Sequence, residues 1–165
     1  MTIQSYVKSH LLIALWTLSL GGFLLHSRIH PVANNFSNLV PLISACFSLI
    51  IIPLFFFFQK TIAYAYVLNG FSVIVGTMVM SHFSLSHWPN PLSARTLLLN
   101  TTFPDIVILW GKFFLGKALF DLEISGYDRI KSKAGRSFRY PNLGWWLVHL
   151  GGLSLVYSLG ALYWR

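Results

Sequence analysis

The chain has 165 residues, of which 55% are hydrophobic and 10% are charged, and its formal net charge is +8. Soluble domains carry about 25% charged residues, so this composition, with a mean hydropathy of +0.64, excludes an ordinary water-soluble domain. The positive charge is concentrated in one loop, which favours membrane topology and anionic lipid headgroups, rather than nucleic acid, as its cause. The single cysteine, Cys46, excludes an internal disulfide.

The first apolar run predicts a membrane-spanning helix over about residues 10–25. This helix can continue to His30, where Pro31 ends it. The run leads into "LLHSRIH", which lacks the small-residue cleavage pattern of a secretion signal. We therefore expect an uncleaved first span.

Residues 39–58 and 61–83 predict the second and third spans, each near the ~20 residues that cross a bilayer. Only Gln59 and Lys60 separate them, so the two helices should form a tight antiparallel hairpin. Prolines and an Asn-Gly step inside these spans are candidates for the helix breaks that transporters use at their binding sites; they are Pro41, Pro53 and Asn69-Gly70.

Residues 104–122 and 143–164 predict the fourth and fifth spans. The fourth contains two lysines and two acids, so an interfacial helix, which would leave four spans, is the alternative. Asp105, Lys112, Gly116 and Glu123 fall on one narrow stripe, which favours a span facing the protein interior. Continuous apolar runs exclude barrel strands. The predicted fold is therefore all-α: a polytopic transmembrane helical bundle of about five spans, forming one integral membrane domain over residues 1–165.

The distribution of Lys and Arg predicts the orientation of the bundle. With five spans, one side receives seven of them: Lys8, Lys60, Arg129, Lys131, Lys133, Arg136 and Arg139. The other side receives three: Arg28, Arg95 and Arg165. The positive-inside rule places the amino terminus and the loop 123–142 in the cytoplasm and the carboxyl terminus outside. The expected location is a bacterial inner membrane or its equivalent, with anionic headgroups bound at residues 129–139.

Lys112 is the strongest candidate for a functional side chain, because an ammonium near the middle of a span costs about 2.5–3.5 kcal/mol. Asp105 on the same stripe and Asn69 on the antiparallel third span are its candidate partners. One interpretation is an intra-helix arrangement of Lys112 with Asp105 that orients the bundle. The other is a ligand or ion site for an anionic headgroup, a quinone carbonyl or a transported ion. Lys117 can pair with Asp121 four residues on.

The histidines lie near the two ends of the predicted bundle. His26 and His82 fall at the same end, on different spans, which is the layout of a bis-histidine haem b site. His10 and His149 form a second candidate pair at the other end. His26 and His30 have the i, i+4 spacing of metal ligands. The alternative is that all of them are interfacial histidines without a cofactor.

Small residues recur at helical spacing in the first and last spans. They are Ala14, Thr17 and Gly21 in the first, and Gly151, Ser154, Ser158 and Ala161 in the last. Such stripes let helices approach closely, within the chain or with a protein partner or a second copy.

These observations predict a non-catalytic membrane subunit or accessory protein of a larger complex, since the sequence shows no set of nucleophile, base and orienting group. The first alternative is an electron-transfer subunit that binds haem b, quinone or both. The second is a small permease with Lys112 in a polar cavity.

Overall fold

A computed structural model describes residues 2–29, 39–86, 103–128, 130–131 and 142–163. These residues form helices and the turns that end them, with no strand among them. The all-helical fold class is therefore confirmed for the described part of the chain.

Helix α1 covers Ile3–Ile29 and begins seven residues before the predicted span. Its start is fixed by Thr2, whose Oγ1 accepts a hydrogen bond from the backbone N–H of Ser5 at 3.2 Å. A threonine that satisfies a free N–H at a helix start is an N-cap. Because capping rather than hydropathy sets this boundary, the apolar run alone could not locate it.

The segment predicted as one span over residues 39–58 is interrupted. Helix α2 (Leu39–Cys46) leads into a π-helix at Phe47–Ile51, and helix α3 (Ile52–Phe57) follows. Phe58 then takes an extended conformation before a single 3-10 turn at Gln59–Thr61. The hydroxyl of Thr61 donates to the carbonyls of Phe55 at 2.8 Å and Phe58 at 3.1 Å. The chain therefore reverses in the short link expected of a hairpin.

Helices α4 (Ile62–Ser86), α5 (Phe103–Ile124) and α6 (Leu143–Tyr163) complete the described fold. Helix α5 lies at the centre, packed against α1, α3 and α4, while α6 packs on α4.

The glycines show that α5 runs antiparallel to both α1 and α4. A Cβ at Gly22 would meet Ile108 at 3.3 Å, whereas one at Gly111 would meet Leu18 at 2.8 Å. Likewise Gly76 lies against Leu109 at 2.8 Å, and Gly116 lies against Asn69. Residue numbers therefore increase along one helix as they decrease along its neighbour, which is the antiparallel arrangement.

The aromatic core sits where α4, α5 and α6 meet. Trp146 is fully buried and makes edge contacts with Tyr66 and Phe71 of α4. Its ring also lies 5.7 Å from that of Phe113 on α5. Gly70 leaves the space that the Trp146 ring fills, and any side chain there would overlap it.

The described residues combine an apolar core with buried polar side chains and with large apolar side chains that are exposed. The buried polar side chains are Ser19, Ser48, Asn69, Thr77, Asp105, Lys112, Lys117 and Asp121. Large apolar side chains are exposed on every helix, including Ile13, Ile43, Leu54, Tyr64, Phe71, Val107, Phe114, Val148 and Leu155.

Two described helical stretches are long and apolar enough to cross a membrane by length and composition, Ile3–Leu25 and Gln59–Met78. Two shorter apolar stretches are Ile43–Phe57 and Leu143–Leu153. Helix α5 has the length of a span but contains five charged residues. Five spans are thus not shown by this criterion.

Candidate functional site

The candidate site is built on α5, whose ionisable side chains are buried although the helix is otherwise apolar. Asp105, Lys112, Lys117 and Asp121 are 4%, 5%, 7% and 3% exposed. They are buried because α5 is the central helix and packs against α1, α3 and α4. A buried charge is stable only when it is hydrogen-bonded or paired with an opposite charge. The chemistry of the site therefore depends on the partner of each charged side chain.

Lys112 starts a directed chain of hydrogen bonds across three helical segments. Its ammonium donates to the hydroxyl of Ser48 in the π-helix. Ser48 donates to the Oγ of Ser19 on α1 at 3.5 Å, and Ser19 donates to the carbonyl of Leu15 at 2.9 Å. Among the residues that the structure describes, no carboxylate lies within 4.0 Å of the Lys112 ammonium. Its partners are therefore hydroxyls alone.

The π-helix contributes directly to this chain. π-Helices are rare and occur mostly as single-turn bulges, frequently at functional sites. Here the five-residue segment Phe47–Ile51 carries Ser48, and it closes with a bond from the Ile52 N–H to the Phe47 carbonyl. The wider turn changes which residues of this segment face α5. Pro53, one of the candidate helix breaks, lies in the first turn of α3 directly after it.

Asn69 contacts Lys112 through the main chain. Its Nδ2 donates to the Lys112 carbonyl at 3.1 Å, and Gly116 leaves the space for the amide. The Oδ1 of Asn69 has no hydrogen-bond partner among the described residues.

Asp105 is not brought to Lys112. Seven residues separate them, a rise of about 10.5 Å along a helix, and the ammonium turns to Ser48 instead. The Oδ1 of Asp105 also has no hydrogen-bond partner within the described part of the chain. The intra-helix arrangement of Lys112 with Asp105 is therefore absent from the described structure.

Lys117 and Asp121 form a buried ion pair, with Nζ and Oδ2 2.6 Å apart. The i, i+4 pairing expected from the sequence is confirmed. The ammonium also lies 5.9 Å from the centroid of the Tyr66 ring, which stacks on Phe120 at 4.4 Å. This lysine is neutralised within its own helix, unlike Lys112.

A second polar cluster closes one end of the bundle. The ammonium of Lys8 on α1 lies 3.1 Å from the Oε1 of Glu123 on α5 and donates to the Phe57 carbonyl at 3.0 Å. A cation at the last carbonyls of α3 also complements the helix dipole. The antiparallel register of α1 and α5 explains the pairing, but the register cannot be read from the sequence alone.

Tyr127 joins this cluster from the turn that ends α5. Its hydroxyl donates to Glu123 Oε1 at 2.7 Å. Burial, this hydrogen bond and the charge of Glu123 raise the pKa of Tyr127 well above its usual range. Gly126 and Tyr127 have φ of 62° and 65°, and the Tyr127 N–H bonds to the Leu122 carbonyl at 2.8 Å. This is the Schellman arrangement of a helix end, directly before the basic loop.

Of the candidate histidines, the structure describes the side chains of His10 and His149. His10 and His149 are exposed, and each Nδ1 lies within hydrogen-bond distance of the carbonyl four residues earlier, at 2.8 and 2.7 Å. Their rings pack on Tyr6 and Trp145. His26 and His82 lie within α1 and α4, but their side chains lie outside the described residues, as does His30 entirely. Over the described residues, no group of three or more His, Cys, Asp or Glu could hold a metal ion.

Glycines leave open space beside one position of α1 and two positions of α6. A Cβ at Gly21, Gly151 or Gly152 would meet nothing within 4 Å. The side chains of Ser154, Ser158 and Ala161 lie outside the described residues, as does most of the loop 129–139.

Comparison with protein-family models, with curated proteins and with solved structures finds no match to this chain. A functional argument therefore rests on the geometry of the buried polar groups and of the exposed surface.

Proposed function

We propose that the chain is a multi-pass membrane protein of five spans that acts as a non-catalytic subunit or accessory protein of a larger complex. The observation that carries this proposal is the exposure of large apolar side chains on every described helix, together with charged side chains buried between the helices. In water, each large apolar side chain left exposed forgoes about 1.5–3 kcal/mol of burial free energy, and such side chains are exposed on every helix. A hydrocarbon solvent removes that penalty and favours polar groups in the bundle interior.

Helix α5 is the fourth span in this proposal. Asp105 and Lys112 share one side of the helix and are buried, whereas Phe103, Val107 and Phe114 lie on the opposite side and are exposed. An interfacial helix would instead turn its polar side to water. The burial of Lys112 and Asp105 therefore supports a span over a surface helix.

The open glycine faces support the role of a subunit. Gly21 on α1 and Gly151 and Gly152 on α6 leave room for a close approach, and interfaces between membrane helices are enriched in such small residues. Val148 and Leu155, which precede and follow these two glycines on α6, are also exposed. A helix of another protein, or of a second copy, fits this surface.

Single cysteines in a Cys46→Ser background test the topology. Ile3 and Ile130 are 83% and 81% exposed, and Phe103 is 56% exposed. With five spans, Ile3→Cys and Ile130→Cys react with a membrane-impermeant maleimide from the cytoplasmic side only, and Phe103→Cys reacts from the other side only. Labelling of Phe103→Cys and Ile130→Cys from the same side would show that α5 does not cross.

The subunit role is tested in the same background by crosslinking in native membranes. We expect Gly152→Cys to form an adduct with a second polypeptide. Tyr64→Cys is the control, since Tyr64 is 66% exposed on a different helix, α4. Equal adduct yields at the two positions, or none at residue 152, would contradict a specific docking face on α6.

A further inference from the structure

We propose that His149 is the recognition point of a docking surface on α6, and that its occupant is a membrane helix of another polypeptide carrying a hydroxyl or amide hydrogen-bond donor. We call this the α6 docking surface; it consists of Trp145, His149, Gly152 and Val156. This inference rests on the proposed five-span subunit and names the chemistry of its partner.

The imidazole of His149 is held in one orientation by its own helix. Its Nδ1 lies 2.7 Å from the carbonyl oxygen of Trp145, and since a carbonyl only accepts, Nδ1 carries the hydrogen. The ring also stacks on that of Trp145, with the centroids 3.9 Å apart and the planes at 25°. In a neutral imidazole the other nitrogen is then an acceptor. The ring therefore presents Nε2 as a fixed acceptor.

This acceptor lies near the middle of the bilayer. With five spans α6 runs parallel to α4, and Gly70 of α4 accommodates the ring of Trp146. His149, three residues further on, is therefore close to the level of Val73. Val73 follows Ile62, the first residue of α4, by eleven residues, a rise of about 16 Å. Half of the hydrocarbon core is about 15 Å.

The side of α6 that carries His149 is uncovered. Trp146 and Leu150 are fully buried and fix the side that packs on the bundle, whereas His149 is exposed. Gly152 and Val156 lie three and seven residues after His149, on its side of the helix. A Cβ at Gly152 would meet nothing within 4 Å, and Val156 is 62% exposed.

A free acceptor at this depth calls for a donor from outside the bundle. Within the described part of the chain, no residue donates to Nε2 of His149. Lipid tails supply no donor, and a polar atom without a hydrogen bond in hydrocarbon is strongly destabilising. Ionisable side chains inside a membrane accordingly face other protein and mark functional positions. The α6 docking surface is therefore covered by protein in the assembled complex.

The chemistry of His149 favours another polypeptide over a second copy. Two copies that share this surface place the same residues opposite each other at the same depth. Two Nε2 acceptors would then meet, and neither could donate. A helix with serine, threonine, asparagine or glutamine supplies the missing hydrogen, and such side chains form hydrogen bonds between membrane helices. The space at Gly152 allows the close approach that a short donor needs.

His10 does not complete a cofactor site with His149. It lies on α1, which packs against α5 and the helices of residues 39–57, whereas α6 packs on α4. His10 has the same local arrangement, with Nδ1 2.8 Å from the Tyr6 carbonyl and its ring packed on Tyr6. It is therefore a matched control for a histidine outside the α6 docking surface.

Two membrane-spanning peptides of leucine and alanine, about 20 residues long, test the donor requirement. They differ only at the central residue, which is serine in one and alanine in the other. The full chain, labelled at Ile3→Cys in a Cys46→Ser background, is reconstituted with each dye-labelled peptide, and energy transfer measures binding. We expect the serine peptide to bind about 3- to 10-fold more tightly.

Histidine variants assign this difference to one side chain. His149→Leu should remove the preference for the serine peptide, His149→Gln should keep part of it because its amide oxygen accepts, and His10→Leu should leave it unchanged. In native membranes, His149→Leu should lower the yield of the Gly152→Cys adduct severalfold, whereas His10→Leu should not.

The outcomes separate this inference from the proposed subunit role. Absence of any Gly152→Cys adduct overturns both. An adduct whose yield is unchanged in His149→Leu, or equal binding of the two peptides to the unmodified chain, overturns this inference alone. An adduct with the mass of two copies of the chain, or a Soret band lost in His149→Leu, would identify a different occupant and would also overturn it.

Discussion

Lys112 and Lys117 are predicted to affect stability in opposite directions when each is replaced by methionine. The two lysines lie on one helix and are 5% and 7% exposed. They differ in their partners, since Lys117 pairs with Asp121 at 2.6 Å whereas Lys112 reaches only the Ser48 hydroxyl. Methionine fills a similar volume in each case and removes the charge.

The expected magnitudes follow from these contacts. Removing an ammonium from the middle of a membrane helix relieves about 2.5–3.5 kcal/mol, while the lost hydrogen bond to Ser48 costs about 1 kcal/mol. Lys112→Met should therefore raise the free energy of unfolding by about 2 kcal/mol. Lys117→Met leaves Asp121 buried without its cation, and breaking a buried pair in this way costs about 3–5 kcal/mol.

Reversible unfolding in mixed micelles, with an increasing fraction of denaturing detergent, measures both changes against the unmodified chain. The double variant Lys117→Met with Asp121→Leu serves as a control, since removing both charges should recover much of the lost stability. A shift of both single variants in the same direction would refute the assignment of partners.

Three further outcomes follow from the structure. Gly116→Ala should lower stability by about 1–3 kcal/mol, measured by the same unfolding assay, because the new methyl overlaps the Asn69 amide; unchanged stability would mean that α4 and α5 are not in contact there. Tyr127→Phe should remove a tyrosine that ionises above the ordinary tyrosine range in an ultraviolet pH titration, since its pKa is raised. The stabilisation from the Tyr127 proton holds at neutral pH and is lost only at pH above the ordinary tyrosine range, so loss of a tyrosine that ionises within that range would contradict the bond to Glu123. Purified protein should be colourless as a non-catalytic subunit, and a Soret band lost in His26→Ala would instead establish the haem b alternative.

The sequence predicts much of the helical content, because a long continuous apolar run in lipid satisfies its backbone hydrogen bonds by forming a helix. It also predicts the pairing of Lys117 with Asp121, which depends only on spacing within one helix. The interruption at Phe47–Ile51 lies beside Pro53, one of the candidate helix breaks, but hydropathy does not indicate that it is a π-helix.

Contacts between helices are the part that sequence reasoning missed. The partners of Lys112 and Lys8 lie 64 and 49 residues from them along the chain. Those pairings depend on the rotation and register of whole helices. The burial of Asp105 and Lys112 is partly predictable, because their shared stripe on α5 indicates a face turned to the protein interior. The stripe does not indicate which neighbouring helix packs against that face.

The π-helix has a consequence for how this chain tolerates changes in length. The hydrogen bonds of a π-helix join residues i and i+5, so each turn holds about one residue more than a turn of α-helix. Deleting Ser48 should therefore restore a regular helix between Cys46 and Ile52. The shortened protein would keep its architecture and lose the hydroxyl that meets Lys112.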